Sequence, residues 1–122
     1  MTVTRIRVVS VPVSDQDRSL YFYVGVLGFE LVSDSLMGDM RWVQVAPRGS
    51  ECSLTLVTWF PTMPAGSLKG LVIETDQLDS DVEAIRAKGV VVEGVQDAPW
   101  GRFATFDDPD GNGIVLRDAV AW

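Results

Sequence analysis

The sequence contains no histidine and only one cysteine, Cys52, among its 122 residues. Without imidazole, the usual Ser-His and Cys-His catalytic pairs and the imidazole-rich zinc, nickel and non-haem iron sites have no ligand or base to build on. One cysteine cannot form an intrachain disulfide. No segment approaches the roughly 20 consecutive apolar residues that a membrane-spanning helix requires. The amino-terminal MTVTRIRVVSVPV places two arginines before a short apolar run interrupted by Ser10 and Pro12, so it reads as a first strand and not as a signal peptide. Basic residues are scarce as well: 10 Lys and Arg against 17 Asp and Glu leave a net charge of -7. Such a surface repels phosphate backbones and anionic lipid, so neither nucleic acid nor membrane is expected as a partner. Taken together, these absences predict a cytoplasmic protein.

What is present is an ordinary globular composition, 47% hydrophobic and 22% charged. A chain of this length folds as one unit and buries roughly two-thirds of the surface its unfolded form exposes. Residues 5 to 13 are rich in strand formers. SDQD at 14 to 17 then offers caps for a helix whose apolar positions Leu20, Tyr23, Val24 and Leu27 repeat at helical spacing, with Gly28 as its stop. Residues 29 to 36, 40 to 47 and 52 to 59 read as three strands separated by the turn-prone SLMGD and PRGSE. The order then repeats: a strand at 68 to 75, a helix opened by DQLDS with Leu78, Val82 and Ile85 on one face and Gly89 at its end, and strands at 90 to 95, 101 to 107 and 113 to 118. Asp-Pro-Asp-Gly-Asn-Gly, residues 108 to 113, turns the last hairpin. Sliding one half by about 62 residues lays Val8 on Gly70, Val13 on Thr75 and Leu27 on Gly89, a duplication and not a solenoid. The predicted architecture is α+β: two pseudo-repeated βαβββ modules forming a curved, mostly antiparallel sheet around a cup. Module 1 covers about 1 to 59 and module 2 about 68 to 122, with FPTMPAGS at 60 to 67 as linker.

Three stretches, VPVSDQDRSLYFYVGVLGFELV at 11 to 32, LVIETDQLDSDVEAIRAKGVVV at 71 to 92 and PWGRFATFDDPDGNGIVL at 99 to 116, occur in an order and spacing that resembles the vicinal oxygen chelate superfamily. That group contains glyoxalase I, bleomycin-resistance proteins, fosfomycin-resistance enzymes and extradiol dioxygenases. The resemblance implies paired βαβββ modules, commonly a homodimer, and in metal-dependent members a divalent ion held by His, Gln or Glu from four strands. Counting from the turns puts three of those positions at Val8, Gly70 and Val115, and the pseudo-repeat places the fourth at Thr55. None is a good ligand, so no metal and no cofactor is expected. Asp34, Asp39, Glu51 and Glu74 are other carboxylates, but nothing in their spacing gathers them on one inward face.

The aromatic residues carry the remaining signal. Trp42, Trp59, Trp100 and Phe103 read either as core packing or as a stacking surface for a planar ligand, and Trp59 and Trp100 adjoin proline-containing loops that suit a rim. If the four vacated positions face the cup, alternation adds Ser10, Val57, Val72, Glu74 and Arg117 to its lining, with Trp59 beside them. Gln44 and Thr55 are then the polar anchors. Glu74 and Arg117 are either further anchors near a rim or a surface ion pair. Cys52 is read as a small apolar residue, Met37, Met40 and Met63 as loop residues or an adaptable lid, and Tyr21, Phe22 and Tyr23 as fastening the first helix to its sheet.

These residues favour a metal-independent small-molecule-binding protein of the glyoxalase/bleomycin-resistance type, holding an aromatic or amphipathic, antibiotic-like compound between modules. The competing reading is a glyoxalase- or dioxygenase-like enzyme, a lyase, isomerase or oxygenase. It would use an unconventional metal site or metal-free acid-base chemistry, with Glu74 as base if burial raises its pKa. A structural or regulatory dimer with a filled cup is a third.

Overall fold

The computed structural model describes residues 1 to 119; the last three residues expected in module 2 lie outside the described residues. The chain runs β1 (Val8–Pro12), α1 (Gln16–Leu20) continuing into a π-helical segment (Tyr21–Val26), β2 (Glu30–Met37), β3 (Met40–Ala46) and β4 (Ser53–Val57). The plan then repeats as β5 (Leu71–Thr75), α2 (Leu78–Ala87), β6 (Gln96–Ala98), β7 (Gly101–Asp107) and β8 (Gly113–Asp118). The strands form two four-stranded sheets, β1-β4-β3-β2 and β5-β8-β7-β6. In each, the first strand of the module pairs parallel with the last and the other pairs are antiparallel. This is the α+β duplicated βαβββ plan, built as two mixed sheets with no closed barrel.

Local chemistry accounts for the helix boundaries. Asp15 caps α1, its carboxylate accepting from the backbone N–H of Arg18 at 3.1 Å. The helix expected as uniform α widens after Leu20, with Leu27 N–H reaching Phe22 C=O at 3.0 Å, a five-residue step. At α2 the capping residue Gln77 makes no side-chain cap bond; instead Thr75 Oγ1 accepts from Gln77 N–H and itself donates to Asp81. The strand expected at 90 to 95 does not form. Val92 turns into the core while Val91 stays 84% exposed, and Glu93 N–H to Thr105 C=O at 3.0 Å is the backbone bond tying the segment to β7. Ladder pairing begins only at Gln96, past Gly94.

One core serves both sheets. Val43, Val45, Leu54 and Leu56 from the first sheet, Ala104, Phe106, Ile114 and Leu116 from the second, and Phe22, Tyr23, Val82 and Ile85 from the helical segments belong to a single buried cluster. Phe22 and Tyr23 are buried, as the reading of YFY as a helix fastener expects, while Tyr21 is exposed. Because side chains alternate along a strand, the opposite face of each sheet points away from this shared core.

The DPDGN turn does more than close a hairpin. Asp108 is buried and accepts from Tyr23 Oη at 2.9 Å, from Asn112 Nδ2 at 2.8 Å and from the backbone N–H groups of Asp110 and Asn112, each at 2.9 Å. Asn112 also donates to Pro12 C=O at 2.8 Å and accepts from Leu68 N–H at 3.1 Å. Arg18 pairs with Asp110 at 3.1 Å. The turn is therefore a polar latch between modules. Burial first, then the Asp108 carboxylate, pushes the Tyr23 phenol well above its ordinary pKa. The linker docks on this turn at Gly66, where φ is +84° and a Cβ would lie 2.1 Å from the Asp110 carbonyl oxygen.

Candidate functional site

Register decides which residues share the outer faces. In the first sheet Thr55 pairs with Ser10 on β1 and with Gln44 on β3, which pairs onward with Ser33. Leu54 and Leu56 belong to the core, so Thr55 and Val57 face outward. Trp42, two residues from Gln44, donates its Nε1–H to Gln44 Oε1 at 3.0 Å. It also stacks with Trp59 at 6.4 Å between ring centroids and 27° between planes, and Phe60 adjoins Trp59 at 6.1 Å. Thr55 is 0% exposed, and among the described residues its hydroxyl has no hydrogen-bond partner.

In the second sheet Val72 pairs with Val115, and Val115 with Thr105; one row along, Glu74 pairs with Arg117, Arg117 with Phe103, and Phe103 with Gln96. The Arg117 guanidinium lies 4.9 Å from the centroid of Trp100, and its Nη2 donates to the Trp100 carbonyl oxygen at 2.5 Å. Trp100 and Phe103 meet at 4.7 Å. Arg117 is buried, whereas Glu74 beside it is exposed.

The candidate residues thus fall into two groups: Trp42, Gln44, Thr55 and Val57 on one sheet with Trp59 just past β4, which ends at Val57 and not at 59 as expected, and Val72, Glu74, Phe103, Val115 and Arg117 on the other with Trp100 in the turn before β7. The sequence reading placed both in one cup; the common core instead turns the two aromatic faces outward, each half open. Phe60 and the Asp108–Tyr23–Asn112 latch were not anticipated. Phe60 could have been read from its place beside Trp59, but the latch joins residues 85 apart in sequence and left no local signal.

Val8, Gly70 and Val115 offer no donor atom, and Thr55 offers only a hydroxyl. A family-type divalent ion does not fit this set, because catalytic sites of that kind need three or four imidazole or carboxylate ligands. Among the described residues no three His, Cys, Asp or Glu side chains are grouped to hold a metal. Also among them, no helix is long and apolar enough to cross a membrane.

Residues 5 to 116 match the sequence model of the Glyoxalase/Bleomycin resistance protein/Dioxygenase superfamily. The chain belongs to this superfamily. A relative of similar length is the uncharacterized protein YetH of Bacillus subtilis strain 168, 30% identical over 125 residues that cover 95% of this chain and 99% of YetH. Among solved structures, TnmS3, an antibiotic binding protein from Streptomyces sp. CB03234, is 48% identical with a TM-score of 0.95, covering 98% of this chain and 99% of TnmS3. A glyoxalase/bleomycin resistance protein from Streptomyces sp. CB03234 is 50% identical with a TM-score of 0.86, over 93% of this chain and 99% of that one. The two modules repeat one register: Thr55 pairs with Ser10, two residues beyond Val8, and Val115 pairs with Val72, two residues beyond Gly70.

Proposed function

We propose that this superfamily member is a metal-independent binding protein for a planar aromatic or amphipathic, antibiotic-like small molecule. The observation that carries the reading is a donor-poor quartet of family ligand positions flanked by two aromatic faces. Indole and phenyl rings at Trp42, Trp59, Trp100 and Phe103 supply stacking area; the covered Thr55 hydroxyl and the Gln44 amide supply polar anchors. The likeness to TnmS3 over nearly the whole chain supports a binding role over a catalytic one. Each face alone is open, and Val72 and Trp100 are exposed. A homodimer that sets the first sheet of one chain against the second sheet of its partner closes the site, and the apolar outer surface supports that assembly.

The test is a titration of planar aromatic antibiotics followed by indole fluorescence, with elemental analysis of the purified protein. Trp59→Ala and Trp100→Ala weaken binding by about 1 to 3 kcal/mol each, while costing less stability than the about 3 to 5 kcal/mol of a core aromatic truncation. A stoichiometric transition metal whose chelation abolishes a turnover, or two variants that unfold while no compound alters the wild-type signal, overturns the reading.

A further inference from the structure

A second cavity lies on the other side of the second sheet, where the modules meet. It holds about 210 Å³, the space of about seven waters at ~30 Å³ each. One wall comes from module 1, with Leu27 and Phe29 just past the π-helical segment; the other comes from module 2, with Ile73, Ile85 and Leu116. The cavity lies along β5, the edge strand of the second sheet: Ile73 belongs with the core side, and Glu74, from the outward face, reaches its mouth.

Two features set this seam apart from a packing defect. The wall from module 1 leaves a six-residue π-helical segment, a rare backbone form concentrated at functional sites, and Lys88 at the end of α2 reaches across the seam to hold its Gly25 carbonyl at 2.6 Å. The mouth is also acidic. Asp81 sits half-buried there with one carboxylate oxygen accepting the Thr75 hydroxyl at 2.5 Å, and Glu74 lies beside it. The one cation at the mouth, Arg48, is directed at Glu30 at 3.3 Å.

We infer that the seam between the π-helical segment and α2 is a second ligand site, taking a small amphipathic cation whose apolar body fills the cavity and whose ammonium group meets Asp81. An apolar wall with the Asp81 and Glu74 carboxylates at its mouth selects that chemistry, and a partly desolvated carboxylate favours the cation over a neutral isostere.

The probe is 4-phenylbutylammonium, with 4-phenylbutanol as neutral counterpart, titrated into the full chain and read by amide chemical shifts and by thermal stability. The ammonium compound shifts resonances of Leu27, Phe29 and Ile85 saturably and raises Tm, as any ligand of the native state does. The alcohol binds about tenfold more weakly, and Asp81→Asn, which keeps an oxygen acceptor for Thr75, lowers ammonium affinity by about tenfold. Ala84→Phe, an exposed position on α2 at the mouth, blocks binding while circular dichroism reports an unchanged fold. Trp59→Ala and Trp100→Ala leave this binding unaltered, which separates it from the aromatic faces. Absence of saturable shifts at millimolar probe, equal affinity for the alcohol, or binding that survives Ala84→Phe but is lost in the tryptophan variants overturns the inference.

Discussion

Thr55→Val isolates one hydroxyl whose environment makes opposite demands on stability and on binding. The side chain is 0% exposed, sits between Ser10 and Gln44 in the ladder and, among the described residues, has no partner for Oγ1. A buried, unsatisfied hydroxyl costs about 1 to 3 kcal/mol, and exchanging it for a methyl group of similar shape removes that cost. The variant therefore gains about 1 kcal/mol. Unfolding entropy of about 2.1 cal/mol/K per residue over this length converts that into a Tm rise of about 4 °C. Ligand binding moves the other way. If the ligand supplies the missing partner, losing the hydrogen bond costs about 0.5 to 1.5 kcal/mol, or roughly 2- to 12-fold in Kd. Calorimetric melting and fluorescence titration of the same samples read both quantities. A variant less stable by more than about 1 kcal/mol, with unchanged affinity for a compound that wild type binds, refutes the reasoning.

Tyr23→Phe removes one donor from the buried Asp108 and lowers stability by about 1.5 to 3 kcal/mol at neutral pH, measured by urea unfolding. Because burial and Asp108 hold the folded phenol above its unfolded pKa, the native state binds the proton more tightly. Wild-type stability then falls as pH rises beyond about 10, by about 1.4 kcal/mol per pH unit, and Tyr23→Phe loses that dependence. A phenylalanine variant with the same alkaline slope would show that the titration belongs to another group. Gly66→Ala forces a Cβ into the Asp110 carbonyl and a positive φ on an L-residue, costing at least about 2 kcal/mol; a loss below half of that would mean the linker does not dock on the turn.

Much of this molecule follows from short-range pattern. The duplicated βαβββ order is legible because each helix carries an i, i+4 apolar face next to strand-rich segments, and because glycines end the helical runs. Which residues share a strand face is legible too, since a strand has a fixed two-residue period, whereas the pairing of Thr55 with Ser10 and of Val115 with Val72 is register that the structure supplies. Family ligand positions without donors are likewise visible in the chain, because a valine or glycine cannot ligate a cation in any fold. Segment 90 to 95 shows where pattern misleads. Its four valines suit a strand, but whether they pair depends on what lies alongside, and Val92 is spent on the core.

Tertiary structure decided the rest. Amphipathic strands state that one face of each sheet is buried; they do not state against what. Here both helix-covered faces share one core, so Trp59 and Trp100 stand on faces that point apart. That depends on how two sheets pack, a choice made by contacts far apart in sequence. The same holds for the latch from Tyr23 to Asp108 and Asn112, for the widened helical segment before Leu27, and for the acidic-mouthed seam behind the second sheet. Each is made where the two modules touch, and no local sequence period encodes that contact.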